Sequence, residues 1–175
     1  MSNTGNLTKK LCFTAMLAAI ICVCTMVYVP LPFGYFNLGD AAILLGAYLL
    51  CPAFGVWSGA LAAAVGSALA DLFSGYAMYI PATAVIKAVM VIVAFYIFKG
   101  MSGASGRPKL NIVFRLIGSV VAEAVMVGGY LLYELALYGA GALASVFGNV
   151  MQGVCAVAIS TVIMGALRLY RGRIK

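Results

Sequence analysis

Residues 80–98 read IPATAVIKAVMVIVAFYIF, nineteen positions with a single charge, Lys87. A helix needs about 20 such residues to cross the hydrocarbon core of a bilayer, so this stretch predicts a membrane span. Working outward, the same pattern recurs. A span at about 9–29 opens with Lys9 and Lys10, runs apolar from Leu11 to Val29 and ends at Pro30 and Pro32; with no small-residue cleavage site after it, it reads as a retained span. A run at 38–51 stops at Pro52, and one at 53–72 ends at Ser74 and Gly75. Beyond 80–98 comes a polar Gly/Ser segment, 99–109, then runs at about 110–138 and 142–167. The runs are continuous rather than alternating, which excludes a transmembrane barrel. Apolar residues make up 65% of the 175 and charged residues 9%, against roughly 45–50% and 25% in soluble domains. The sequence therefore predicts an all-α integral membrane protein: six transmembrane helices in one bundle, a single domain over 1–175. The 38–51 run is short, about 21 Å as a helix, and must sit among other helices or begin partway down.

Charge sets the expected orientation. With six spans the N-terminus, the 51–54 turn, the 99–109 segment and the C-terminus share a side. Lys9, Lys10, Lys99, Arg107, Lys109, Arg115, Arg168, Arg171, Arg173 and Lys175 all lie on or near it, and the loops at 30–37, 73–79 and 139–141 carry no basic residue. Cytoplasmic loops are enriched in Lys and Arg, so both termini are expected to be cytoplasmic. The net charge of +7 then reflects topology and contact with lipid, not binding of nucleic acid.

Absences exclude chemistry. The chain has no histidine, which removes Ser-His-Asp triads, His-bound zinc or haem and His proton relays. The four carboxylates, Asp40, Asp71, Glu123 and Glu134, are isolated in sequence, with no pattern that would hold Mg²⁺ against a phosphate. There is no phosphate-binding loop of the ATPase type, so no ATP cofactor is expected on this chain. The odd set Cys12, Cys22, Cys24, Cys51 and Cys155 falls in or beside apolar runs and reads as free thiols.

Ionisable groups inside a bilayer are costly and usually face a bundle interior or a cavity. Here Asn37 and Asp40 open the second run, Asp71 ends the third, and Lys87 sits about 9–10 Å down the fourth. Asn149 and Gln152 lie about 10–16 Å down the sixth. Glu123 and Glu134 are eleven residues apart on one face of the fifth, with Tyr130 beside them. All but Glu123 fall in the outer half. With Tyr35, Tyr76 and Tyr79 in the outer loops, the pattern reads as a binding cup with a lid rather than a conducting pore, although the tyrosines also suit an interfacial belt. Lys87 is expected to pair with Asp71 or Glu123, or to meet a ligand. Asp40 suits either helix capping or binding, and Asn149 with Gln152 either ligand reading or helix contacts. Small residues at four-residue spacing, Ala15 and Ala19 in the first run and Gly55, Gly59, Ala63 and Ser67 in the third, permit close helix approach.

Taken together, Ala15-x-x-x-Ala19, Asn37-Leu-Gly-Asp40, Pro52-x-x-Gly55, Asp71-Leu-Phe-Ser-Gly75-Tyr76 and Tyr79-Ile-Pro81-Ala-Thr83-x-x-x-Lys87 resemble the substrate-binding S components of energy-coupling factor (ECF) transporters. The group containing riboflavin-type, hydroxymethylpyrimidine, pyridoxine and queuosine-precursor components is the nearest. The resemblance covers almost the whole chain. It implies a bacterial plasma-membrane protein that binds a vitamin-like solute near the outer surface. Such a component docks on a transmembrane coupling subunit served by two ATPases and topples to release its ligand. Ala15 and Ala19 match the docking motif. The absence of histidine, with the single tryptophan, Trp57, at the inner end of the third run, argues against a thiamine-like ligand. The implied ligand is a pyridoxine- or hydroxymethylpyrimidine-like heterocycle first and riboflavin second. Asn37, Asp40, Asp71, Tyr76, Tyr79, Lys87, Glu123, Tyr130, Asn149 and Gln152 are the candidate contacts. A standalone proton-coupled transporter, a structural membrane protein and, last, an enzyme remain alternatives.

Overall fold

A computed structural model describes residues 3–31, 34–105 and 110–173; Pro32, Phe33, Arg107, Lys109 and Lys175 lie outside the described residues. The elements are α1 (Asn3–Met26), β1 (Tyr28–Leu31), β2 (Gly34–Asn37), α2 (Gly39–Leu49), α3 (Cys51–Phe54), α4 (Val56–Phe73), α5 (Ile80–Ser105), α6 (Leu110–Tyr138) and α7 (Leu143–Arg173). Single 3₁₀ turns precede α5 and α7. Four apolar helical stretches are long enough to cross a membrane: Asn6–Met26, Val56–Phe73, Ala77–Met101 and Ile112–Leu167. The last embraces both α6 and α7.

Three boundaries differ from the sequence reading. The first helix ends at Met26, and the chain turns into an antiparallel hairpin pairing Tyr28 with Asn37 and Val29 with Phe36 where a loop was expected. The β-branched and aromatic residues there suit a strand, while the prolines cannot continue a helix. The second run ends as α2 at Leu49, and the one-turn α3 takes its last residue, Cys51, together with Ala53 and Phe54 from the start of the third run. The 99–109 segment is not a loop throughout: α5 continues to Ser105, because glycines at 100 and 103 weaken a helix without ending it.

The helices contact one another in the cyclic order α1, α4, α5, α6, α7, α2, and α2 also leans inward against α5 and α4. Enclosure on so many sides buries nine of the eleven α2 residues and explains how so short a helix is accommodated. Small residues permit the close contacts. A Cβ added to Gly66 would overlap the Ala18 carbonyl oxygen of α1, and backbone cannot yield as a side chain can. Gly59, Ala63 and Ser67 are likewise buried, whereas Ala15 and Ala19 lie on the exposed side of α1. All five cysteines are free.

Candidate functional site

Gly75 aims the first wall of the site. At φ +83° it ends α4 with paired bonds, Gly75 N–H to the Leu72 carbonyl at 3.3 Å and Tyr76 N–H to the Asp71 carbonyl at 2.8 Å. This glycine-dependent helix stop turns the chain so that Tyr76 and Tyr79 stand beside the α4 terminus. At the opposite corner β2 runs into α2, where the Asn37 Oδ1 accepts the Gly39 N–H at 2.9 Å and Leu38 N–H reaches the Cys24 carbonyl at 3.1 Å. The N-cap position is Leu38, and Asn37 just before it satisfies the first helical N–H. Asp40, for which capping was one expectation, makes no cap bond.

Asp40 instead lies 1% exposed at the centre of a relay. Lys87 Nζ donates to its Oδ1 at 2.5 Å, and Gln152 Nε2 donates to its Oδ2 at 2.6 Å. Asn37 Nδ2 donates to Gln152 Oε1 at 3.3 Å. The expected partner of Lys87, Asp71 or Glu123, is therefore corrected to Asp40. Contact between α2 and α5 brings those two residues together, and residues 47 apart in sequence carry no local signal of it. The ammonium also stands 5.3 Å from the centre of the Tyr130 ring, a cation–π arrangement. The Tyr130 hydroxyl is 3.0 Å from Thr83 Oγ1.

Above these residues the rings of Tyr76, Tyr130 and Tyr133 gather around Tyr79 at centroid distances of 6.3, 6.5 and 5.7 Å. Tyr79 donates to Glu134 Oε1 at 3.3 Å, Ser145 bonds the other Glu134 oxygen, and Tyr133 bonds the Met78 carbonyl. One carboxylate thus ties together the starts of α5 and α7 and the end of α6.

These side chains enclose a cavity of about 390 Å³, within the roughly 300–1,000 Å³ of small-molecule sites. Asn37, Asp40, Asp71, Tyr76, Tyr79, Lys87, Tyr130, Asn149 and Gln152 line it, and Glu123 does not. Ser67, Thr83 and Glu134 also line it without having been singled out as contacts. Helical spacing is the signal that would have found them: 67 and 71 share a face of α4, 83 and 87 one of α5, and 130 and 134 one of α6. One turn further in, Leu44, Met90, Met126 and Ala156 are fully buried and apolar, as in a closed cup rather than a pore.

On two lining residues of α4, Ser67 Oγ and Asp71 Oδ2 are buried without a hydrogen-bond partner. Asn149 makes no side-chain hydrogen bond among the described residues. Lys87, the one basic residue of the wall among the described residues, is held by Asp40. Among the described residues the wall thus carries the Asn149 amide, two enclosed acceptor atoms on Ser67 and Asp71, and no uncommitted cation.

A half-polar cavity inside an apolar helical bundle has the size and lining of a site for a small solute. The chain belongs to the ECF-type riboflavin transporter S component family, whose model matches residues 5–169. That family consists of transporter components and not of enzymes, so this is a membrane transport protein of the substrate-binding kind. It is also similar to a Pyrococcus woesei protein described as an uncharacterized protein in gap 3′ region. The two are 35% identical over 144 residues, spanning 81% of this chain and 88% of that one.

Proposed function

We propose that the cavity binds an uncharged nitrogen heterocycle of the water-soluble vitamin class, a pyridine or pyrimidine bearing hydroxymethyl or amino groups, such as pyridoxine or hydroxymethylpyrimidine. The observation that carries this reading is the pair of orphaned atoms on α4. Buried polar atoms are almost always paired, so Ser67 Oγ and Asp71 Oδ2 stand where a ligand's N–H or O–H would complete them. Asn149 can read a ring heteroatom from the opposite wall, and Tyr76, Tyr79 and Tyr130 offer faces for stacking. With Lys87 neutralised by Asp40, while Asp71 and Glu134 also line the wall, a phosphorylated form of the vitamin is disfavoured. Riboflavin is the second reading, favoured by the family's description and by a cavity roomy enough for a multi-ring compound.

In this proposal six segments cross the bilayer: α1, α2 with α3, α4, α5, α6 and α7. Both termini are cytoplasmic and the cavity opens outward in a bacterial plasma membrane. The exposed Ala15 and Ala19 form a face for a transmembrane coupling subunit, and two partner ATPases supply the energy. The chain itself holds no ATP.

Calorimetric titration of the purified chain with pyridoxine, hydroxymethylpyrimidine, riboflavin and pyridoxal phosphate tests the ligand class. A submicromolar complex with one of the first three is expected. It should weaken roughly 10- to 100-fold in Asp71→Asn, the worth of a hydrogen bond to a charged group. Binding of none of them, or equal affinity in Asp71→Asn, would overturn the reading.

A further inference from the structure

Glu123 is 5% exposed, and neither carboxylate oxygen has a hydrogen-bond partner. Gly153 of α7 packs directly on it: a Cβ there would stand 3.1 Å from Glu123 Cβ and 3.3 Å from its Oε2. A carboxylate buried so closely and left unpaired is expensive, and intramembrane ionisable groups are seldom kept without use. Its electrostatic neighbours are Asp40 and Lys87. Two carboxylates therefore share one ammonium, and in this structure Asp40 holds it.

The helix register puts the other carboxylate within reach. Ile86 packs on Gly129 and Ala94 on Gly118, so position 123 of α6 faces about position 90 of α5. That is one turn, about 5 Å, inward of Lys87. The four-carbon lysine stem is flexible enough to swing through that distance.

We propose that Glu123 is a positioning residue, the reserve counter-ion of Lys87. When a ligand group bonds Asp40, the ammonium turns inward to Glu123, so that ligand entry never leaves a buried charge alone. The purpose of this exchange rests on the ligand reading above, but the exchange itself does not and is tested without ligand. With one cation and two carboxylates, removing either acid leaves a pair, and removing both strands the ammonium. In detergent, Asp40→Asn and Glu123→Gln should each shift the melting temperature by only a few degrees. The double variant should fall at least about 6 °C below the sum of the two. Additive shifts would overturn the proposal.

If Asp40→Asn cannot be purified folded, infrared spectroscopy of the unliganded protein decides, with the Glu123 band assigned by its loss in Glu123→Gln. An ionised carboxylate band that moves in Lys87→Met is expected. A protonated carboxyl band indifferent to Lys87→Met would overturn the proposal.

Discussion

Replacing Lys87 by methionine keeps most of the length of the side chain and removes its charge. Asp40 then loses its donor at Oδ1 and keeps only the Gln152 amide at Oδ2, inside a site where both partners are almost fully buried, at 6% and 1% side-chain exposure. Stranding one member of such a pair costs about 3–5 kcal/mol. For a chain of 175 residues, roughly 2–4 °C is lost per kcal/mol, so the melting temperature should drop by about 6–20 °C. Removing both charges reverses the sign of the argument. In Asp40→Leu with Lys87→Met neither member of the pair is left, Glu123 stays without a hydrogen-bond partner as in the parent, and replacing a whole buried pair by apolar residues is often neutral or stabilising. Gln152 loses one acceptor, a cost of about 1 kcal/mol. The double variant should therefore melt within a few degrees of the parent. Fluorescence-detected thermal unfolding in detergent reads both shifts, and heterocycle titration reads the function, which the double variant should lose because the relay through Gln152 to Asn37 is broken. A Lys87→Met protein melting within about 2 °C of the parent would refute the claim that this pair is buried and mutually dependent. A double variant less stable than Lys87→Met would refute the charge argument. Asp40→Asn should be milder than Lys87→Met, since Glu123 remains to receive the ammonium.

Other perturbations follow from single contacts. Gly75→Ala meets no neighbour but forces a side chain onto φ +83°, and should cost about 1 kcal/mol and weaken ligand binding through Tyr76, as seen by thermal unfolding and calorimetry. Gly66→Val drives a side chain into the Ala18 backbone and should lower the melting temperature by several degrees or prevent accumulation of folded protein, whereas Gly128→Ala, facing open space, should be neutral. Tyr79→Phe deletes the bond to Glu134 while keeping the ring. It should cost about 1 kcal/mol at most and quicken ligand release in stopped-flow dissociation, and an unchanged release rate would remove Tyr79 from the mouth of the cavity.

Much of the site was legible because polar residues in apolar helices are conspicuous. Asp71, Asn149 and Gln152 stand out one by one, depth arithmetic placed them in the outer half, and Asn37, Tyr76 and Tyr79 lie in or beside the outer loops; all six line the cavity. Glu134 sits on the same face as Tyr130, yet its tie to Tyr79 and Ser145 depends on how three helix ends meet. Glu123 shows the opposite case. It shares that face but lies below the cavity wall, because Gly153 brings α7 close against it.

Hydropathy by itself determined that the chain is a helical membrane protein, since the cost of apolar groups in water and of charges in lipid accrues residue by residue. The same locality revealed which helix faces are polar and where glycine ends a helix. Only the tertiary structure decided who pairs with whom. Lys87 had several carboxylates within plausible reach, and the choice of Asp40 came from the inward lean of a short helix, α2, against α5. The energy of a buried ion pair depends steeply on a few ångströms of separation, and those distances come from the packing of the whole bundle.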